Sequence, residues 1–146
     1  MHSSLVAAAE KYGDRDAVWF GDVAWSWRQL DDASAVAAAA LAGRVRPHDR
    51  VAVMASNRPE FIVVVNALSR RGAATVLLSP AWKQREVSHA LALTGATVGF
   101  ADGPSLDVLR EVLGGENVIS LDDVLAGAAD PEADQLPEVS LDDESV

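Results

Sequence analysis

Three short apolar runs alternate with two segments of helical length between residues 50 and 101, and no other feature constrains the chain as strongly. The runs at 51–54, 74–78 and 97–101 are partly β-branched, as strands prefer. Between them, Phe61, Val64, Val65 and Leu68 recur at i, i+3, i+4 and i+7, one face of a helix. Val87, Ala90, Leu91 and Thr94 repeat that spacing. The order β-α-β-α-β predicts an α/β fold, with a mostly parallel sheet and crossover helices on both faces.

Local punctuation agrees with this order. Asn57 is followed three residues later by Glu60, the spacing of a capping box. Pro59 falls in the first helical turn, where its missing N–H costs little. Arg70 and Arg71 stand where cations meet the negative end of a helix dipole, and Gly72 follows them. Gly95 closes the next helix in the same manner.

The pattern extends in both directions. Residues 5–12 form a short helix ended by Gly13, and apolar runs at 17–20 and 23–25 flank Gly21-Asp22, a pairing suited to a hairpin turn. Trp19, Phe20 and Trp25 are expected to cover part of a core rather than to stack a ligand. Ser26-Trp27-Arg28-Gln29 is a second capping-box pattern. It opens an alanine-rich helix to about Ala42, with Leu30, Ala33, Ala37 and Leu41 on its inner face. Downstream, Asp102-Gly103-Pro104-Ser105 reads as a turn, and Leu106, Leu109, Val112 and Leu113 as an amphipathic helix stopped by Gly114-Gly115. A fourth strand at 117–120 and a last helix capped by Ser120 and running to about Ala126 complete the body. Two parts follow from this: an α/β segment over 1–126 and an acidic, extended, poorly ordered tail over 127–146.

Charge follows the same division. The net charge is −10, but residues 127–146 hold seven acids and no Lys or Arg, so the body carries fifteen acids against twelve bases. Nothing in that balance makes a basic footprint for nucleic acid. No apolar run approaches the ~20 residues of a membrane span. The start of the chain reads as neither a signal peptide nor a basic presequence. The absence of cysteine removes disulfides and thiolate chemistry. These features point to a cytoplasmic protein without a transmembrane segment.

Chemistry-bearing motifs are missing. There is no G-x-G-x-x-G after a strand and no G-x-x-x-x-G-K-[ST] loop. His2, His48 and His89 show no metal-ligand spacing; His48 reads as a loop residue and His89 as a boundary residue of a helix. Asp31-Asp32 and Asp122-Asp123 read as capping acids or solvated faces, and Lys83 and Arg85 as solvated cations rather than anion ligands. No catalytic, cofactor-binding or metal-binding residue is therefore assigned.

The order of the pieces resembles a known family. The stretch DRVAVMASNRPEFIVVVNALSRRGAATVLLSPAWKQREVSHALALTGATVGFAD is similar to the N-terminal region of the adenylate-forming superfamily, in particular the AMP-forming acyl-CoA synthetases. KYGDRDAVWFGDVAWSWRQLDDASAVAAAAL resembles the family's opening helix, hairpin and helix start, and PEVSLDDESV resembles the acidic approach to its phosphate-binding loop. One departure is the turn Ser79-Pro80-Ala81-Trp82-Lys83, where the family has Asn-Pro and then a Thr or Ser cap; Lys83 is a poor cap.

The resemblance implies a scaffold segment of an acid–CoA ligase, ending before the phosphate-binding loop. Such an enzyme activates a carboxylic acid, here expected to be a fatty acid, with ATP and Mg²⁺ to an acyl-adenylate and then a coenzyme A thioester. The segment itself is expected to bind none of these cofactors and to be inactive alone. Its implied partner is the remainder of the AMP-binding domain. The alternative is a non-enzymatic α/β interaction or regulatory module that pairs through an unpaired sheet edge, with an adenylating enzyme or with its own copy as a homodimer.

Overall fold

The structure, a computed structural model, describes residues 1–126. The expectation of an extended tail over 127–146 lies outside the described residues. Helix α1 (His2–Tyr12) leads into strands β1 (Asp16–Phe20) and β2 (Val23–Ser26), followed by helix α2 (Trp27–Ala40). The central unit is β3 (Arg50–Met54), α3 (Pro59–Arg70), β4 (Ala74–Leu77), α4 (Gln84–Thr94) and β5 (Val98–Ala101). Helix α5 (Ser105–Leu113), a 3-10 turn (Gly115–Asn117), β6 (Val118–Ser120) and α6 (Leu121–Ala126) follow.

The expected α/β architecture is present. Four strands form a wholly parallel sheet in the order β4-β3-β5-β6, while β1 and β2 form a separate antiparallel ribbon. Because side chains alternate along a strand, β3 serves two layers. Val51 and Val53 join Val63, Val64 and Leu68 of α3 with residues of α1, α2 and α6. Ala52 and Met54 join Val87 and Leu91 of α4 and Leu109 of α5. Helices thus cover both faces. Each fully buried Val or Leu contributes roughly 1.5–3 kcal/mol relative to exposure.

Several helix ends form as the residues dictate. The Ser26 hydroxyl accepts the Gln29 N–H at 3.1 Å, and the Gln29 side-chain oxygen accepts the Ser26 N–H at 2.8 Å. Gly95 ends α4 in the left-handed region at φ 70°, donating to the Leu91 carbonyl at 2.8 Å.

Two expectations need correction. Asn57 does not cap α3; the cap is Arg58, in extended conformation at φ −151° and ψ 158°. Pro59 disfavours helical geometry in the residue before it, so the helix starts one position later than the capping-box spacing suggests. Second, only Trp25 of the hairpin aromatics packs on the core, whereas Trp19 and Phe20 are 64% and 52% exposed. Side chains alternate along β1, so Trp19 lies on the ribbon face opposite Val18 and Trp25, while Phe20 shares their face but stands at the end of the ribbon, paired with exposed Val23 beside the turn. Lys83 is the cap residue of α4 and, as expected, a poor one, with no side-chain cap hydrogen bond. Its N–H donates to the Glu86 carboxylate at 3.0 Å. The lysine side chain, having no acceptor, contributes nothing in return.

Candidate functional site

The chain reverses its direction of winding between β3 and β5. From β3 it crosses one face through α3 to β4; from β4 it returns over the other face through α4 to β5. In open α/β sheets, ligands collect outside the carboxyl ends of the strands at such a switch point. Here those ends are Met54 and Ala101, followed by Ser56, Asn57 and Arg58 on one side and Asp102 on the other.

These residues form one polar cluster. Asp102 is buried, and its carboxylate accepts the Ser56 N–H at 3.1 Å together with the Ser56 hydroxyl. Arg58 places Nε 2.9 Å from the Glu60 carboxylate and Nη1 2.8 Å from Asp122 in the first turn of α6. The same Nη1 lies 3.8 Å from Asp102. The hydrogen bond from Arg58 holds the Glu60 carboxyl below its ordinary range, with burial and the nearby Asp102 charge acting against it. Arg58 is in turn pushed above its ordinary value, first by Glu60 and then by Asp122, against its burial.

The ribbon overhangs this cluster. A cleft of about 230 Å³ lies between it and the start of α3, walled by Val18, Trp19, Phe20, Phe61 and Ile62. A second concavity opens on the other side, toward Val23, Trp25, Ser56 and Glu60. Phe20, Arg58 and Pro59 border both.

The chemistry of the donor set is decisive for cofactors. One guanidinium faces three carboxylates, Glu60, Asp102 and Asp122, and two of them take its hydrogen bonds. A triphosphate would meet excess negative charge there, so these residues do not fit ATP. Among the described residues no group of three or more His, Cys or acidic residues is placed to hold a metal ion. The Ser56 hydroxyl donates to a carboxylate, not an imidazole, so the pair lacks the base a serine nucleophile needs.

The residues weighed from sequence lie elsewhere, with one exception. His48 is exposed in the loop before β3, at the opposite end of the strand, and at φ 68°. His89, Lys83 and Arg85 are exposed on α4 or beside it. Asp31 pairs with Arg70. Asp122 is the exception: it is a solvated acid in the first turn of α6, as read, and it also joins the strand-end cluster through Arg58. Sequence reading missed Ser56, Arg58, Glu60 and Asp102 as a group. The available signal was position, since Ser56 and Arg58 lie in the short loop after β3 and Asp102 directly follows the neighbouring β5 in the β-α-β-α-β order.

Comparison with known proteins identifies the frame in which this cluster sits. Residues 5–146 match the family model described as AMP-binding enzyme. The 2,3-dihydroxybenzoate-AMP ligase of Bacillus subtilis is 39% identical over 82 residues, covering 56% of this chain and 15% of that protein. The medium/long-chain-fatty-acid–CoA ligase FadD6 of Mycobacterium tuberculosis is 31% identical over 104 residues, covering 70% of this chain and 17% of that protein. The solved complex of VinN with L-aspartate superposes with a TM-score of 0.86 at 25% identity, covering 97% of this chain and 38% of that one. The chain therefore spans well under half the length of the proteins it matches, and its fold is the N-terminal part of theirs. By the match over residues 5–146, the chain belongs to the AMP-binding enzyme family.

Proposed function

We propose that the chain is the scaffold segment of an adenylate-forming ligase, in which ATP and Mg²⁺ convert a carboxylic acid to an acyl-adenylate at a site completed by the rest of the domain. The single observation that supports this reading is the internally paired cluster at the switch point. Ser56 bonds Asp102 and Arg58 bonds Glu60 and Asp122, so the cluster ties the strand ends together, and its one cation among three carboxylates is a poor seat for a triphosphate. Transfer to coenzyme A, and a fatty acid as the acid activated, are the finer form of the proposal. The similarity to FadD6 supports that form, while the similarity to an aryl-AMP ligase and to VinN bound to L-aspartate supports aryl and amino acids equally.

The test has two arms. Calorimetric titration of the 146-residue chain with ATP–Mg²⁺ should give no heat; saturable binding would overturn the scaffold reading. The second arm replaces the matching segment of the Bacillus ligase with this one. The chimera should retain acid-dependent pyrophosphate exchange, and a folded but silent chimera would count against the reading.

A second reading keeps one specific observation. Strand β4 is an edge of the sheet and carries Leu77 at 60% exposure. An open edge of this kind favours pairing, either with a further strand of the same domain or with a second copy. Sedimentation over a concentration series separates the two, because only the second gives a mass that rises with concentration.

A further inference from the structure

We infer that Arg58 is a positioning residue that clasps α6 to the ends of β3 and β5, and so sets the orientation of α6 against the sheet. The inference rests on the scaffold reading only for its significance; its geometry stands independently. Arg58 is the cap residue of α3 and immediately follows the β3 exit loop. Its Nε holds Glu60 on α3 itself, whereas Nη1 holds Asp122 on α6, a contact between residues 64 positions apart in the chain. Asp102, at the exit of β5, lies near the same Nη1 and is already bonded to Ser56 beside Arg58. One guanidinium thus stands among groups from the exits of β3 and β5 and the first turns of α3 and α6.

The fork geometry matters. Arg58 reaches its two hydrogen-bonded carboxylates with different nitrogens, at 2.9 and 2.8 Å. A lysine ammonium is a point charge on a flexible stem and does not reproduce a planar fork spanning two acids. Below the clasp, Leu121 and Val124 bury one side of α6 in the layer formed by α2 and α3. Apolar packing therefore supplies the attachment of this six-residue helix, and the clasp selects its orientation. The Asp122 side chain is 66% exposed, so solvent screening keeps the contribution modest.

Amide hydrogen exchange on the complete 146-residue chain tests this. In Arg58→Gln, exchange at residues 124–126 and at Ser56 should accelerate by roughly threefold to tenfold, while Val64 at the centre of α3 stays unchanged. Arg58→Lys should behave like Arg58→Gln. If α6 exchange is unchanged in a folded Arg58→Gln protein, or if Arg58→Lys matches the parent, the clasp is wrong. Asp122→Asn gives a second route should Arg58→Gln fail to fold. It leaves the Arg58–Glu60 pair intact and should loosen α6 alone; an unaltered α6 would again overturn the inference. ATP binding by the parent chain would defeat the scaffold reading and leave these exchange rates unaffected, so the two failures are distinguishable.

Discussion

The carboxylate of Asp102 reaches from the end of β5 to the end of β3 and accepts both the N–H and the hydroxyl of Ser56. The two residues are 46 positions apart, and their contact ties the exits of β3 and β5 together. Asp102 is buried, so removing its carboxylate leaves the Ser56 donors without their acceptor. Asp102→Ala should cost about 1.5–3 kcal/mol, the range for hydrogen bonds to a charged group. Asp102→Asn, which keeps one acceptor oxygen, should cost less. Urea denaturation of the three proteins checks the order.

Gly99 on β5 lies beneath α5 with no room for a side chain. A Cβ there would stand 2.5 Å from Leu109 Cδ2 and 3.2 Å from Leu113 Cδ1. Gly99→Ala should destabilise by about 1–3 kcal/mol through overpacking. Leu109→Ala, at a fully buried position, should cost about 2–5 kcal/mol alone. The double variant should be more stable than the sum of the two losses implies, because each change relieves the other. Strict additivity would refute the close contact.

Glu60 and Arg58 make stability depend on acidity in one direction. The carboxyl of Glu60 is held below its ordinary value, chiefly by the Arg58 hydrogen bond. Its contribution is therefore complete above the ordinary glutamate range, near pH ~4.3, and is lost as pH falls through the lowered folded value. Glu60→Gln should be less stable than the parent at neutral pH, and the gap should narrow as the solution is acidified. A gap that stays constant from neutral pH into strong acid would contradict this assignment. Thermal melts across that range provide the measurement.

Trp19 and Phe20 are exposed on the ribbon, beside the cleft, rather than in the core. The double change Trp19→Ser and Phe20→Ser should alter stability by no more than about 0.5–1 kcal/mol, since little buried area is lost. It should also lower the binding of an apolar dye, because a contiguous exposed apolar patch is removed. Trp25 packs on the core, and Trp25→Ser should by contrast destabilise clearly. Equal losses for the two sets would restore the idea that all three aromatics face inward.

Much of this protein was determined by its sequence alone, wherever the physics is local. The reciprocal bonds of Ser26 and Gln29 join residues three apart, and the left-handed Gly95 follows directly from the end of its helix. The periodicity of Val64, Val65 and Leu68 placed α3, but burial there is not confined to that face: Val63, Asn66 and Ala67 are buried as well, because other elements cover the helix. The pre-proline restriction on Arg58 was equally local and legible, and the capping-box spacing of Asn57 and Glu60 concealed it. What the tertiary structure decided was non-local. Which face of the ribbon met the helices, and how far along it the contact reached, depended on packing, since Trp19, Phe20 and Trp25 are alike in hydrophobicity. The association of Ser56, Arg58, Asp102 and Asp122 depended on strand order, because only the neighbouring positions of β3, β5 and β6 bring those exits together. Charges so far apart in sequence carry no periodic signal, and their contact arises only when the sheet has set their distance.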